Sequence, residues 1–287
     1  MDGLSAENTK KGRLQRACLD LLLEHEADGA LPTSIRFLFY ELLGRDVIPK
    51  EYRYPDGRKK PRQPGQDISD ALTHLREQGI VPWHWLVDET RTLYSWRYAA
   101  TVYDDYVEET LPRARIDLWD GEPPPLILCE SRSLAGVLRG IAQDYLCPIA
   151  ATNGQTGGFL HTGIAPLIAG DERRRVLYLG DLDLSGGHIE ANTRTVLETY
   201  APLDWTRIAI TDTQVEEYGF RVKTKADHRY KDVHVHGAVE TESLGQPEVM
   251  RLLTAALEER VSEPLAEVLE REERQRTEVR ERLADGE

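Results

Sequence analysis

The sequence predicts two domains of different class: an amino-terminal α+β domain and a carboxy-terminal α/β domain built on an open, mostly parallel sheet. Residues 11–78 contain three stretches in which apolar side chains recur at helical spacing. After residue 125, short continuous apolar runs alternate with helical stretches, a pattern typical of parallel strands buried on both faces. At 287 residues, the chain is long enough to enclose two hydrophobic cores.

Three helices and a β-hairpin make up the predicted amino-terminal domain, residues 1–98. The helices are predicted over residues 11–25, from a cap at Thr33 or Ser34 through Leu43, and over 67–78. A strand over 80–87 and a returning strand over 90–96 follow them. Three helices and a hairpin form the winged-helix variant of the helix-turn-helix, a common duplex-binding module, although three amphipathic helices also occur in bundles with no DNA role.

A basic segment between the second and third helices favours the DNA-binding interpretation. Residues 50–62 carry six Lys/Arg against two acids, whereas the whole chain carries 36 Lys+Arg against 50 Asp+Glu, a net charge of −14. Phosphate contact requires such a basic region, and the alternative for this segment is a solvated connector. The predicted partner is therefore double-stranded DNA.

The predicted carboxy-terminal domain, residues 125–245, follows a proline-bearing linker over 99–124, in which a helix is predicted over residues 100–110. Its strands are predicted in the apolar runs at 125–130, 147–152, 175–183 and 207–212, and its helices over 131–145, 161–169 and 185–200. Residues 246–287 are predicted to be a charged helical segment, with an apolar stripe at first and a solvated helix or tail from Glu267 onward.

Composition points to a reducing compartment and away from membranes. No apolar run approaches the roughly 18 residues of a membrane-spanning helix, and residues 1–30 lack the apolar core of a signal peptide. The three cysteines, Cys18, Cys129 and Cys147, are sparse and lack metal-binding spacing. We therefore expect a cytoplasmic, nucleoid-associated protein.

Three acids fall where strands of the predicted sheet end. Glu130 follows the first strand directly, and Asp181 and Asp183 follow the third. Ligands bind at the carboxyl ends of strands in open α/β sheets, and three converging carboxylates repel one another unless a cation lies between them. Mg²⁺ suits such oxygen ligands, so these three acids are the predicted metal ligands. A single acid here is more simply a helix cap, and Glu240 and Glu242 are either outer members of the site or exposed.

A glutamate after one strand and an Asp-x-Asp after a later strand, with glycine at 186, resemble the Toprim domain of topoisomerases, primases and certain nucleases. The resemblance covers about residues 125–245. It implies that Glu130, Asp181 and Asp183 bind Mg²⁺ and that Glu130 also does general acid–base work.

The second predicted helix carries another motif. Its sequence S-I-R-F-L-F-Y places Arg36 and Tyr40 on one helix face. This resembles the R-x-x-[FY]-Y motif of the topoisomerase VI A subunit and the related meiotic double-strand-break proteins, in which a winged-helix domain with a catalytic tyrosine precedes a Toprim domain. The resemblance spans roughly residues 10–260 and implies that Tyr40 is the nucleophile and Arg36 its partner. A tyrosine beside Phe39 is otherwise explained as an edge-of-core residue, and Arg36 as half of a surface salt bridge.

Together these resemblances imply Mg²⁺-dependent DNA cleavage by tyrosine transesterification, which gives a double-strand break with 5′-phosphotyrosyl ends. Because Tyr40 and the acids fall in separate domains, we expect a homodimer in which the tyrosine of one subunit meets the metal site of the other. The sequence contains no ATPase signature, so ATP-driven strand passage would require a separate ATPase subunit of the B type.

The sequence is also compatible with two other functions. The same fold could hydrolyse DNA with metal-activated water and no covalent intermediate, which resembles the nuclease subunit of plasmid- and phage-defence systems with this domain order. The chain could instead be a non-catalytic winged-helix regulator that binds DNA while its Toprim-like half is structural.

Overall fold

The computed structural model describes residues 4–6, 8–87, 110–152, 159–220, 223–226 and 234–284. Three helices form the amino-terminal part: α1 (Lys10–Ala27), α2 (Ile35–Gly44) and α3 (Pro64–Glu77). Ser34 caps α2 by accepting a hydrogen bond from the Phe37 N–H. Helix α3 begins earlier than predicted because Pro64, whose φ is fixed near the helical value, occupies its first position. The three predicted helices are therefore present and pack around one apolar core.

The strand predicted over 80–87 is wrong. This segment contains a 3₁₀ turn, Trp83–Trp85, and a single β-bridge between Leu86 and Thr33. The Trp85 carbonyl accepts a hydrogen bond from the Thr33 N–H, and the Val87 N–H donates to the Thr33 carbonyl, each at 2.9 Å. The predicted strand over 90–96 lies outside the described residues, as does nearly all of the predicted helix over 100–110. The winged-helix assignment thus stays a prediction.

The basic segment forms an exposed hairpin, residues 52–60, which we call the basic hairpin. The Tyr54 N–H donates a hydrogen bond to the Arg58 carbonyl at 2.8 Å. Gly57 turns the chain with a φ of +86°, in the left-handed region that glycine adopts without steric cost. A single antiparallel bridge between Arg53 and Lys59 closes the hairpin, so the cationic side chains of this segment project from an ordered turn.

A four-stranded, all-parallel sheet forms the carboxy-terminal part and confirms the α/β prediction for this half. The strand order is β2–β1–β3–β4, with β1 (Leu126–Cys129), β2 (Ile149–Ala151), β3 (Arg174–Leu179) and β4 (Leu203–Ala209). The accompanying helices are α4 (Arg132–Asp144), α5 (Ala165–Ile168, after a π turn at Leu160–Ile164), α6 (Leu184–Glu198) and α7 (Asp212–Glu217). The next two strands, β5 (Lys223–Ala226) and β6 (His234–Ala238), form an antiparallel pair. The chain then forms a 3₁₀ turn (Thr241–Leu244) and ends in two helices, α8 (Gln246–Glu258) and α9 (Leu265–Ala284). Within the described ranges, no helix has both the length and the apolar character needed to span a bilayer.

Helices cover both faces of the sheet, as predicted. Successive side chains of β1 and β3 alternate between the two faces. Ile127 and Leu177 pack with α4, α8 and α9 on one face. Leu128 and Tyr178 pack against α5 and α6 on the other. Both central strands are thus buried on both sides, which is why they stand out in the sequence as continuous apolar runs.

Strand β4 begins before the predicted run at 207–212 and ends inside it. In the described part of the chain it pairs with β3 alone, so it forms an edge of the sheet and its central residues are partly exposed. These include the polar Asp204 and Thr206. Polar residues are common on edge strands, which are partly exposed. Because Asp204 and Thr206 interrupt the apolar sequence, the prediction placed the start of this strand only at residue 207.

Helix α9 is anchored to the sheet, whereas the sequence analysis expected a solvated helix or tail from Glu267. Val268 is 1% exposed and lies in the core beside the sheet. The buried Glu272 carboxylate accepts hydrogen bonds from the Arg115 guanidinium at 2.9 Å and from the Ile116 N–H at 2.8 Å. Helix α9 therefore fixes the segment that leads into β1.

Replacing Glu272 with glutamine should lower the free energy of unfolding by about 3 kcal/mol, because Arg115 and Arg276 lose the carboxylate that pairs with both. Burial alone raises the pKa of Glu272, but the Ile116 N–H and the arginines outweigh it and hold this pKa below its ordinary value. The stabilisation is thus complete above the ordinary glutamate pKa and is lost as pH falls through the lowered folded-state value. The difference between wild type and Glu272→Gln should shrink accordingly in urea unfolding at acid pH.

The matched control is Glu273→Gln, because Glu273 lies next to Glu272 on α9 but is 64% exposed. An exposed ion pair contributes at most about 1 kcal/mol, so this variant should unfold close to wild type. Equal losses in the two variants would show that the buried carboxylate has no special role.

Helix α2 contributes to both hydrophobic cores. Leu38 and Leu42 pack with α1 and α3, whereas the fully buried Phe37 packs in the core beside the sheet. The Glu41 carboxylate also accepts a hydrogen bond from the Gln246 N–H, at 3.0 Å, at the start of α8. Helix α2 thus joins the amino-terminal helices to the sheet domain, and the Gln246 side-chain amide, which donates to the Ala30 and Pro32 carbonyls, adds to this connection.

Candidate functional site

The predicted acids lie where the chain changes direction across the sheet. From β1 the chain moves to β2 on one side and then to β3 on the other, so a crevice forms beyond the carboxyl ends of β1 and β3. Cys129 and Leu179 are paired in register at these ends. Glu130 therefore leaves the sheet beside the turn that carries Asp181 and Asp183.

The structure brings Glu130 to the backbone of Asp181. The Asp181 N–H donates a hydrogen bond to Glu130 Oε2 at 2.9 Å. Asp183 caps α6 by accepting a hydrogen bond from the Gly186 N–H at 2.7 Å, the role considered as the simpler alternative for a single acid. Glu130 and Asp183 thus both contact backbone N–H groups around the turn that carries Asp181. The three predicted ligands lie in one region, but they are not the set of acids whose carboxylate oxygens come close enough to share an ion.

One group of three acids in the described part of the chain could hold a metal ion: Asp181, Glu240 and Glu242, which we call the acidic cluster. One carboxylate oxygen of each lies within 4.8 Å of the other two. An antiparallel bridge between Leu182 and Val239 brings the segment after β6 beside the turn after β3. Asp181 is therefore shared between the predicted ligand set and a cluster that the sequence analysis did not assemble.

Hydrogen bonds fix the members of the acidic cluster. The Thr241 N–H and hydroxyl donate to Asp181 Oδ1 at 2.9 and 3.2 Å. Glu242 is 1% exposed, and the Ser131 hydroxyl donates to its Oε1 at 3.1 Å. From the sequence, Glu240 and Glu242 were predicted to be either outer members of the metal site or exposed residues. The available signal was their Glu-x-Glu spacing directly after a strand, which matches the Asp-x-Asp spacing after β3.

Two further residues support the turn that carries Asp181. A Cβ at position 186 would lie 2.3 Å from the Asp181 carbonyl oxygen and 3.2 Å from Glu130 Oε2, so only glycine allows α6 to begin this close. The Arg207 guanidinium donates to the carbonyl oxygens of Gly180 and Asp181, each at 2.7 Å. Sequence reasoning missed Arg207 because it lies on the edge strand, far from the acids along the chain.

Arg36 and Tyr40 lie at the acidic cluster of their own chain. Arg36 Nε is 2.8 Å from Glu242 Oε1, and Arg36 Nη2 is 2.9 Å from Glu240 Oε2. The guanidinium carbon lies 5.9 Å from the centroid of the Tyr40 ring, and the Glu240 charge acts on the Tyr40 hydroxyl by raising its pKa, after burial, which has the larger effect. The two motifs therefore meet within one chain, whereas the sequence analysis expected them to meet across two subunits.

Burial and mutual repulsion raise the pKa values of the acids. Burial and the Asp181 charge raise the pKa of Glu130 to about 7. Burial, with Asp181 adding to it and Arg36 opposing it, raises the pKa of Glu242 to about 7. Burial also raises the pKa of Asp181, against the Thr241 N–H and with the help of the Glu240 charge. A divalent cation would favour the charged forms of all these groups.

The surroundings of Tyr40 disfavour its phenolate. Burial raises the pKa of Tyr40 well above its ordinary value, and the Glu240 charge adds to this shift, while Arg36 opposes it. The phenol is therefore neutral at physiological pH. To act as a nucleophile it needs nearby positive charge or a base that removes its proton as the new bond forms.

The acidic cluster has donors that fit a divalent cation. Its carboxylates are the oxygen ligands that Mg²⁺ prefers. Glu242 Oε2 is buried and has no hydrogen-bond partner among the described residues. A buried carboxylate oxygen without a partner is costly unless a cation or a donor satisfies it. The residues at this position thus fit a bound metal ion.

Comparison with protein-family models, curated proteins and solved structures finds no match to this chain.

The basic segment reaches the same site. Lys50 Nζ lies 3.7 Å from Glu240 Oε1. Farther along, Arg53 and Lys59 both pair with Glu51 on the exposed surface of the basic hairpin. Exposed ion pairs contribute little stability, so these cations can exchange carboxylate for phosphate partners.

Proposed function

We propose that this protein is a Mg²⁺-dependent, topoisomerase VI A-like DNA-cleaving enzyme in which Tyr40 attacks a phosphodiester bond. The position of Arg36 carries this proposal, because its guanidinium contacts the acidic cluster while lying 5.9 Å from the Tyr40 ring centroid. A phenol, a guanidinium and acids that fit a divalent cation thus share one site. These are the groups that phosphoryl transfer to a tyrosine requires. The winged-helix and Toprim assignments of the two domains belong to the same proposal.

Asp181, Glu240 and Glu242 would hold the Mg²⁺ ion, with Glu130 and Asp183 beside them. When bound, Mg²⁺ supplies positive charge that stabilises the phosphate oxygens and the departing 3′ oxygen. The Glu130 carboxylate lies beside these ligands, where its Oε2 accepts a hydrogen bond from the Asp181 N–H at 2.9 Å. This position suits Glu130 to general acid–base work at the 3′ oxygen.

Tyr40 supplies the nucleophile in this mechanism. Its hydroxyl oxygen bonds to phosphorus as the bond from phosphorus to the 3′ oxygen breaks. The phenol proton passes to the Glu240 carboxylate, and the 3′ oxygen takes a proton from Glu130. Arg36 binds the non-bridging phosphate oxygens through its planar pair of N–H groups. The product is a 5′-phosphotyrosyl ester, and because one phosphate ester replaces another, the reaction can reverse.

A double-strand break requires two sites, one for each strand. We therefore propose a homodimer on double-stranded DNA in which each subunit uses its own Tyr40 and its own acids. A separate ATPase subunit of the B type would drive strand passage where passage follows cleavage. The proposed location is the cytoplasm, at the nucleoid.

Supercoiled plasmid tests the proposed function directly. The protein is incubated with plasmid and Mg²⁺, and the DNA is then denatured with and without protease. We expect linear or nicked DNA whose ends carry protein, so that the DNA migrates freely only after protease treatment, and we expect EDTA to abolish these products. Free ends without protein would indicate hydrolysis, and DNA binding without cleavage under these conditions would indicate a regulator.

Hydrolysis is the second candidate, and the surroundings of Tyr40 favour it. Because burial and Glu240 raise the Tyr40 pKa, the phenol is a poor nucleophile until its proton is removed. Water activated at the same acids needs no phenolate, and Glu130 is suited to accept its proton. This mechanism uses the same metal ligands and leaves no covalent link, as in the plasmid-defence nucleases that the domain order resembles.

The basic hairpin should contribute to DNA affinity through phosphate contacts. The double variant Lys59→Glu/Lys60→Glu should weaken duplex binding at least about tenfold and reduce the salt dependence of binding by up to about two ions, because each phosphate contact releases roughly 0.9 counterion. Fluorescence anisotropy over a salt series measures both quantities.

The matched control for the hairpin changes the same number of charges elsewhere. Arg139→Glu/Arg173→Glu alters two exposed arginines of the sheet domain, on α4 and before β3. If both double variants weaken binding equally, the effect reflects net charge and not contact by the hairpin.

A further inference from the structure

A single guanidinium contacts all three members of the acidic cluster. Besides its contacts with Glu242 and Glu240 at 2.8 and 2.9 Å, Arg36 Nη2 lies 3.6 Å from Asp181 Oδ2. Arg36 therefore contributes the positive charge at the position where the carboxylates converge. Its side chain is 38% exposed, so it has a route out of this position toward solvent.

The carboxylate oxygens are almost all engaged by protein groups. Asp181 Oδ1 binds Thr241, Glu240 Oε1 lies 3.7 Å from Lys50, and Glu242 Oε1 accepts from a serine hydroxyl. One oxygen of each acid faces Arg36. Glu242 Oε2 is the remaining oxygen, buried and without a hydrogen-bond partner among the described residues. A cation that binds all three acids would therefore compete with the guanidinium for the same three carboxylates.

We propose that Arg36 and a divalent cation are alternative occupants of the acidic cluster, so that metal binding displaces the guanidinium. This inference rests on the metal site of the proposed function and adds an order of events to it. Two positive groups at the same three carboxylates repel each other, and the cation takes the oxygens on which Arg36 depends. Before metal arrives, Arg36 neutralises part of the charge of the cluster.

Displacement would make phosphate binding by Arg36 depend on the metal. Arg36 lies one helical turn before Tyr40 on α2, so a released guanidinium stays near the phenol. There its N–H groups, which no longer face carboxylates, are available to the oxygens of a phosphate. The protein would therefore bind the scissile phosphate with Arg36 only after the metal is in place.

Metal binding without DNA tests the proposal. Mn²⁺, which prefers the same oxygen ligands as Mg²⁺, is titrated into wild type and Arg36→Gln and followed by electron paramagnetic resonance and calorimetry. We expect Arg36→Gln to bind Mn²⁺ about tenfold more tightly, because no internal cation has to leave. Arg36→Lys, which keeps the charge, should bind with an affinity close to wild type. Unchanged or weaker binding by Arg36→Gln would overturn the proposal.

Thermal unfolding with and without Mn²⁺ provides a second readout and reports on folding of the variants. Arg36→Gln removes the guanidinium that contacts all three acids and leaves Lys50 beside Glu240, so it should melt below wild type in EDTA and gain more from Mn²⁺. Arg45→Gln is the matched control, since Arg45 ends α2 but pairs with Glu24 away from the cluster. An equal gain in Arg36→Gln and Arg45→Gln would contradict displacement.

The two proposals fail in different ways. Absence of specific Mn²⁺ binding in wild type and in every variant would remove the metal site and with it both proposals. Tighter binding by Arg36→Gln together with free, protein-less DNA ends would support displacement while overturning the tyrosine mechanism.

Discussion

Replacing Asp181 with asparagine should reduce Mg²⁺-dependent plasmid cleavage on the order of a thousandfold, a loss that applies to both tyrosine and water as nucleophile. Asp181 belongs both to the predicted ligand set and to the acidic cluster. Its loss removes a negative ligand, and the several kcal/mol that a bound metal contributes to phosphoryl transfer correspond to a rate factor of about this size. The size of asparagine is nearly that of aspartate, so the contact with Thr241 can persist. Initial rates of plasmid cleavage measure the effect.

Asp171→Asn is the control for this prediction. Asp171 is an exposed aspartate in the bend before β3, at the opposite end of that strand from the site. Its substitution should leave the cleavage rate and the melting temperature near wild type. Full activity in Asp181→Asn would mean that cleavage does not depend on the acidic cluster.

Tyr40→Phe should eliminate protein-linked DNA ends, because phenylalanine has no oxygen to bond to phosphorus. The phenyl ring remains, so the edge-to-face contact with Phe39, with ring centroids 5.2 Å apart, is retained. The melting temperature should therefore change little. Protein-linked ends are measured by comparing denatured samples with and without protease, and wild type and variant are compared at equal DNA binding.

Tyr200→Phe serves as the matched control, since Tyr200 follows α6 and its hydroxyl contacts His161. This variant should form protein-linked ends as wild type does. If free ends form at a similar rate in wild type and in Tyr40→Phe, water is the nucleophile and the second candidate function replaces the first.

The sheet and the place of its acids were predictable because β1 and β3 are central strands. Their residues face helices on both sides, so Leu126–Cys129 and Arg174–Leu179 contain continuous apolar runs that mark the strands. The rule that ligands lie beyond the carboxyl ends of such strands then pointed to Glu130 and Asp181. Local pattern and a general rule were sufficient for this part of the site.

The acidic cluster was not predictable in the same way, because tertiary contacts assemble it. Glu240 and Glu242 reach Asp181 only through the bridge between Leu182 and Val239, and no local pattern records that bridge. The same reason applies to the wrong prediction of a strand over 80–87, a segment that contains a 3₁₀ turn and forms a single bridge to the distant Thr33. Sequence periodicity reports burial and spacing, but it does not report which distant segment supplies the partner.

The burial of Phe37 in the core beside the sheet has a consequence for how the activity could be tuned. Phe37 is next to Arg36 on the short helix α2, which also carries Tyr40. The packing of the Phe37 ring in the core therefore determines how close the Arg36 guanidinium and the Tyr40 hydroxyl lie to the acids. Under the proposed function, interior substitutions around Phe37 would therefore shift Arg36 and Tyr40 relative to the acids without contacting either of them. Selection on catalytic precision would then act on an apolar contact as strongly as on the charged residues around it.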